Sequence, residues 1–111
     1  MIIPFSTTDW ETIPSERHEG TTGYAIWKTK QYDGLRIRMV EFSENYEADH
    51  WCALGHIMYC IAGEMDTILA NNTIHTLKQG MSWQVSDKQS SHKTKTKKGC
   101  KLFIIDGDFL K

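Results

Sequence analysis

Two histidines and a cysteine lie within seven residues of one another near the middle of the chain, at His50, Cys52 and His56. Residues two apart in a strand share a face, so His50 and Cys52 are predicted to point the same way. His56 joins them if the break at Gly55 preserves the alternation. Imidazole and thiolate groups suit zinc and other borderline transition metals. A fourth ligand must come from elsewhere, and His92 at the start of a later strand is the natural candidate, so the sequence predicts a metal site on these four residues.

Three other interpretations of these residues stay open. The first is a group of buried polar side chains that is satisfied by hydrogen bonds alone. The second keeps a metal on three histidines and makes Cys52 a small residue that lines the cavity beside it. The third is nucleophilic catalysis by Cys52 and His56 without a metal, for which the sequence names no residue that would orient the histidine.

Short strands, with little helix, are predicted from Gly23 onward. Apolar residues alternate with Arg36 and Arg38 over residues 35–39, which predicts a strand with one buried face. Similar strand patterns recur later in the chain, over residues 81–86, 92–97 and 100–106. Turn residues separate the strands, at 33–34, 71–72, 79–80 and 98–99. Seven or eight strands at this spacing predict an all-β sandwich or barrel.

The first 22 residues differ from the rest of the chain. They are predicted to form a short irregular arm, residues 1–22, that packs on a barrel domain of residues 23–111. The segment from Thr8 to Glu11 has capping-box spacing, but Pro14 limits any helix to about one turn. Residues 15–22 are polar and are predicted to be irregular.

The stretch around the histidines resembles the first motif of the cupins, a family of small metal-binding β-barrels. That motif runs His, any residue, His, three or four residues, Glu, six residues, Gly. His50 occupies the first histidine position, and Cys52 stands in for the second. His56 stands in for the glutamate, and Gly63 falls six intervening residues later.

Gly80 and His92 resemble the glycine and, displaced by one residue, the histidine of the second cupin motif. The resemblance covers about residues 34–105 and implies a single-domain jelly-roll barrel. It also implies a divalent transition metal inside the barrel, with zinc as the first choice and iron, nickel or manganese as alternatives. The match is closest to a small bacterial group with a DHCW-type motif, here residues 49–52. That group has no assigned reaction, so the resemblance implies a fold and a metal but no chemistry.

Five residues are candidates for the lining of a ligand cavity in such a barrel, namely Met39, Met58, Cys60, Met81 and Trp83. Packing in the core is the simpler interpretation of these residues. Cys60 and Cys100 are interpreted as small core residues.

Two functions fit the predicted site. In the first, the metal has an open position and the protein is a metal-dependent enzyme on a small metabolite. No carboxylate is clearly directed inward as a general base, which weakens this hypothesis. In the second, four protein ligands close the site, and the protein is a non-enzymatic module that binds a small ligand or a structural metal.

Length and composition exclude several other classes of protein. The chain has 111 residues, 40% hydrophobic and 24% charged, which is typical of one globular domain. A net charge of −1 gives no global attraction to nucleic acid, and no apolar run is long enough to span a membrane. The N-terminus lacks the basic flank of a secretory signal, and three cysteines, an odd number, suit the reducing cytoplasm. The apolar face of Trp51, Ile57 and Tyr59 predicts a homodimer.

Overall fold

Over residues 2–111, which the computed structural model describes, the chain forms nine β-strands and two short 3-10 helices. The strands are β1 (Ser15–Glu19), β2 (Tyr24–Tyr32), β3 (Leu35–Phe42), β4 (Tyr46–Glu47), β5 (His56–Leu69), β6 (Ile74–Lys78), β7 (Ser82–Val85), β8 (His92–Thr96) and β9 (Cys100–Gly107). The helices span Trp10–Thr12 and Asp108–Leu110. The prediction of an all-β chain is confirmed.

The strands form two curled antiparallel sheets that share β5. In the first sheet the order is β1-β2-β3-β9-β5-β7, and in the second it is β4-β8-β5-β6. The first half of β5 lies between β9 and β7, and its second half lies between β6 and β8. The two sheets therefore curl around one interior as a half-barrel.

Gly63 marks the point where β5 passes from one sheet to the other. The pairing of β5 with β9 shifts register between Cys60 and Ala62 and ends at Gly63, and pairing with β6 begins at Glu64. Gly63 has φ +77, and a Cβ there would overlap the carbonyl oxygen of Gly99. Only glycine meets both conditions, which explains its place in the sequence pattern.

The alternation predicted for β3 is present, but the buried face carries its arginines. Arg38 is only 4% exposed and lies beside buried Val40 on the inner face. Met39 points the other way and lines a groove on the outer surface beside Trp10. The assignment of Met39 to the barrel cavity is therefore corrected. The buried arginine is accommodated because a carboxylate on β9 pairs with it.

The N-terminal arm is more regular than its polar sequence predicts. Residues 15–19 form β1, which pairs with β2 from Ser15↔Lys28 to Glu19↔Tyr24. The backbone N–H and C=O groups at the edge of β2 can pair with any extended segment, so the pairing does not depend on apolar side chains in residues 15–19. His18 of β1 stacks on Trp27 with ring centroids 3.9 Å apart. The predicted single turn near Pro14 is present as the helix Trp10–Thr12, and the division of the chain at residue 22 stays a prediction.

The hydrophobic core fills the interior between the two sheets. It contains nine buried residues, namely Ala25, Val40, Met58, Cys60, Met65, Leu77, Cys100, Leu102 and Ile104. The three cysteines are all free thiols. Within residues 2–111, no helix is long and apolar enough to cross a membrane.

Candidate metal centre

Three of the four predicted ligands come together at one end of the interior. Cys52, His56 and His92 each offer one ligand atom, and these atoms all lie within 4.8 Å of one another. His56 is the first residue of β5 and His92 the first of β8, and both side chains are buried. A single antiparallel bridge between Cys52 and His92, with two hydrogen bonds of 2.9 Å, holds the cysteine against β8.

The structure does not bring His50 to this group. Its side chain is 77% exposed at the cavity rim, and its Nδ1 lies 2.6 Å from Oδ1 of Asp49. The alternation of faces fails here because residues 50–55 do not form a continuous strand and only Cys52 is paired.

Hydrogen bonds fix both imidazole rings so that Nε2 is turned toward the group. The Nδ1–H of His56 donates to Oδ2 of Asp106 at 2.7 Å, and that of His92 donates to the carbonyl oxygen of Ser90 at 3.2 Å. Because both partners only accept, each neutral ring carries its lone pair on Nε2. The Nε2 of His56 lies 3.6 Å from Sγ of Cys52. The Nε2 of His92 is buried and has no hydrogen-bond partner among the described residues.

The protonation of these groups suits metal binding. The contact with His56 lowers the pKa of the Cys52 thiol, although partial burial acts in the opposite direction. Burial lowers the pKa of His92, which favours the neutral ring. A metal binds the thiolate and the neutral imidazole, so both shifts reduce the competition between protons and a metal ion at this site.

Asp106 on β9 is the functional residue that the sequence reasoning missed. Its carboxylate accepts from His56, from Arg36 Nε and Nη2 at 2.8 and 3.1 Å, and from Arg38 Nη2 at 2.8 Å. Burial alone would raise the pKa of Asp106, but the hydrogen bonds from His56 and Arg36 and the charges of both arginines hold that pKa well below its usual range. The expectation that no carboxylate is directed inward is thus corrected. The alternation of β9 contained the signal, because Leu102, Ile104 and Asp106 fall on one buried face.

Arg38 is the most deeply buried charge near the site. Burial and the neighbouring positive charge of Arg36 lower its pKa, and Asp106 acts against them. Its guanidinium lies over the ring of Trp27, 4.4 Å from the centroid, and its Nε has no hydrogen-bond partner among the described residues. Two guanidinium groups thus share one carboxylate, which leaves positive charge in the interior.

A cavity of about 250 Å³ opens beside the three clustered residues, all of which line it together with Arg38 and Met58. The remaining predicted lining residues lie elsewhere. Cys60 is fully buried in the core, and Met81 is 46% exposed. Trp83 lines a second cavity of about 220 Å³ on another side of His92 and packs edge-on against that ring.

No protein-family model and no curated protein sequence matches the chain. Solved structures do match its fold. An RmlC-like cupin from Shewanella frigidimarina superposes with a TM-score of 0.75 at 17% identity, over 94% of this chain and 91% of that one. A predicted oxalate decarboxylase from Thermotoga maritima gives 0.78 at 12% identity, over 92% and 98% of the two chains. Fe(II)-HppE with an alternative substrate gives 0.74 at 13% identity, over 92% of this chain and 60% of that one.

These similarities show the fold of the chain, which is the cupin jelly-roll. The prediction of a cupin-like barrel is confirmed at that level. The class of protein is thus a small all-β barrel with a histidine and cysteine cluster at one end of its interior.

Proposed function

We propose that the chain is a metal-binding cupin that holds a divalent transition metal on Cys52, His56 and His92 and acts as an enzyme on a small metabolite. The buried, unpartnered Nε2 of His92 is the observation that carries this proposal. A buried polar nitrogen without a partner is costly, and a metal facing the other two donor atoms would satisfy it. The likeness of residues 49–52 to the DHCW motif supports membership of that group of cupins.

The donor set fits zinc or iron. A thiolate with two imidazoles is softer than the oxygen ligands that magnesium and calcium prefer, so zinc remains the first choice, followed by iron, nickel and manganese. Asp106 supports the site from behind, because it fixes the tautomer and orientation of His56 as carboxylates do behind other metal-bound histidines. When bound, the metal would supply Lewis-acid chemistry to a molecule in the adjacent cavity.

The number of ligands favours an enzyme over a closed structural site. Structural zinc is commonly held by four protein ligands, whereas catalytic zinc commonly has three and one exchangeable position. With His50 exposed at the rim, three protein ligands remain, and all three line the cavity. The alternative is a non-enzymatic binding module, which would need a fourth protein ligand.

Metal analysis tests this proposal directly. Protein purified without added metal should contain about one transition-metal ion per chain, measured by plasma mass spectrometry. Loss of a residue that only hydrogen-bonds to a metal ligand costs roughly 10- to 100-fold in metal affinity. His92→Ala removes a ligand itself, so it should weaken metal binding by more than about 100-fold. His50→Ala is the matched control and should change the affinity less than about threefold, because the ring is exposed.

Substitution with cobalt tests whether Cys52 is a metal ligand. Cobalt-loaded wild type should show the near-ultraviolet absorption band of a cobalt–thiolate bond, and Cys52→Ser should lose it. Wild-type protein that takes up no transition metal would contradict the proposal. A loss in His50→Ala equal to that in His92→Ala would favour the closed binding module.

A second candidate function is thiol nucleophilic catalysis without a metal. Asp106, His56 and Cys52 form a chain in which the carboxylate orients the imidazole and the imidazole faces the thiol. If metal-free protein is the isolated form, iodoacetamide should alkylate Cys52 in the wild type at least about tenfold faster than in His56→Ala, because only the wild type has the imidazole beside the thiol.

We further propose a homodimer formed through the outer face of the first sheet. Ile57 and Tyr59 of β5 are 37% and 47% exposed, and they pair with Ile105 and Phe103 of β9, so that four apolar side chains lie side by side on this face. A contiguous apolar surface of this kind is typical of a contact between subunits. The cytoplasmic location stays a prediction from the three free thiols.

A further inference from the structure

We propose that the interior cavity binds a small organic monocarboxylate, whose carboxylate is held by the guanidinium group of Arg38. This inference rests on the proposed function in one respect: the proposed metal is what locates the reacting end of the ligand. The anion site itself is formed by residues that the metal proposal does not use as ligands. The cavity, the buried arginine and the balance of charge each support it independently.

The lining of the cavity carries positive charge without a compensating lining carboxylate. Arg36, Arg38 and Lys93 all contribute to its wall, and none of the described residues that line it is Asp or Glu. Asp106 lies behind the wall and is shared by both arginines and His56. Asp106 and a Cys52 thiolate together balance only two of the three positive side chains, so the cavity keeps a net positive charge that a bound anion would balance.

Arg38 has donors left for a ligand, because only one of its three nitrogens, Nη2, bonds to another described residue. Its Nη2 is committed to Asp106, but its Nε is buried and has no partner among the described residues. The side chain is 4% exposed, so bulk water does not satisfy this donor readily. Trp27 under the guanidinium holds the planar group in place. A fixed planar guanidinium with a free N–H is the group that proteins use to bind a carboxylate.

The rest of the wall identifies the ligand as small and partly apolar. Val40, Met58 and Ile104 line the cavity, so a fully polar anion would leave apolar surface uncovered. The volume of about 250 Å³ lies just below the range of drug-sized ligand sites, which indicates a small metabolite.

The test follows the Nε–H resonance of Arg38 in a ¹⁵N–¹H correlation spectrum of the zinc-loaded protein. The chain has only three arginines, so three such signals are expected, and Arg38→Lys assigns the one that disappears. The probes are acetate, propionate, isovalerate and benzoate, with isovaleramide as the neutral counterpart of isovalerate. At least one carboxylate should shift the Arg38 signal saturably, with a dissociation constant of millimolar or lower, and isovaleramide should bind at least tenfold more weakly.

The control is Arg17→Lys, which changes an exposed arginine at the far edge of β1 and should leave carboxylate affinity unchanged. Arg38→Lys should bind the carboxylate at least tenfold more weakly. The absence of a saturable shift with all four acids would overturn the proposal, as would equal binding of isovaleramide. If Arg38→Lys fails to fold, Arg17→Lys and Arg36→Lys assign the Arg38 signal by elimination, and the wild-type shift still decides the matter.

The two proposals fail in different ways. Wild-type protein that holds zinc but responds to none of the four carboxylates overturns the anion site and leaves the metal site standing. Protein that takes up no metal but still shows a saturable Arg38 shift overturns the metal site and supports the anion site.

Discussion

Replacing Asp106 with asparagine should destabilise the protein more than any conservative change at its surface. The carboxylate accepts four hydrogen bonds, from His56, Arg36 and Arg38, at 2.7 to 3.1 Å. The asparagine amide would have one accepting oxygen and would turn an NH₂ group toward donors. The buried Arg38 charge would then lose its counter-ion.

The size of the loss follows from that unpaired charge. Removing one partner of a buried ion pair typically costs about 3–5 kcal/mol. A domain of this size is stable by about 5–15 kcal/mol, so Asp106→Asn should remain folded but be much closer to unfolding. With a urea slope of about 1.5 kcal/mol per M, the midpoint should fall by about 2–3 M.

The assay is urea unfolding followed by tryptophan fluorescence, with Asp108→Asn as the matched control. Asp108 is two residues away, exposed, and pairs with Lys111 at 3.1 Å, so its loss should cost at most about 1 kcal/mol. The double variant Arg38→Met with Asp106→Asn should lose less than the sum of the two single variants, because no unpaired Arg38 charge remains. A loss in Asp106→Asn below about 1 kcal/mol, or equal to the control, would refute the reasoning.

Three further outcomes are expected. Gly63→Ala should lower the free energy of unfolding in urea by about 2–3 kcal/mol, because of the positive φ and the overlap with Gly99. Gly80→Ala is also at positive φ but lies in open space, so it should cost less. Equal losses in the two variants would contradict the packing argument. Tyr59→Glu should halve the mass measured by light scattering, since it places a charge in the proposed dimer contact, and an unchanged mass would argue against that contact. Cys60→Ser should lower stability by about 1–3 kcal/mol and leave the metal content intact, since this thiol lies in the core; loss of metal would assign it to the site.

Much of the fold was predictable because it depends on local patterns. Alternating side chains and turn residues predict most of the strands. The turn predicted at residues 71–72 is present between β5 and β6, with Asn72 at φ 69. His56 and His92 could be assigned to the site because each begins a strand and faces inward with its alternate neighbours.

The errors arose where tertiary contacts override local pattern. The burial of Arg38 depends on Asp106, which lies 68 residues later in the chain, and no local rule connects the two. A continuous strand would turn His50 inward, but the loop before β5 pairs only at the Cys52 bridge, so His50 points to the rim. Residues 15–19 form β1 because the free edge of β2 accepts them, a partner that their own polar sequence does not reveal.

The position of β9 between β3 and β5 has a consequence for how the chain folds. Its pairing with β3 joins Leu35 to Gly107, so the first sheet stays open until β9 has been synthesised. Such distant pairing is typical of domains that fold in milliseconds to seconds rather than microseconds. Until then β3 and β5 expose unpaired edges that favour association with other chains. Because β9 also carries Asp106, the support for His56 is completed in the same late step that closes the barrel.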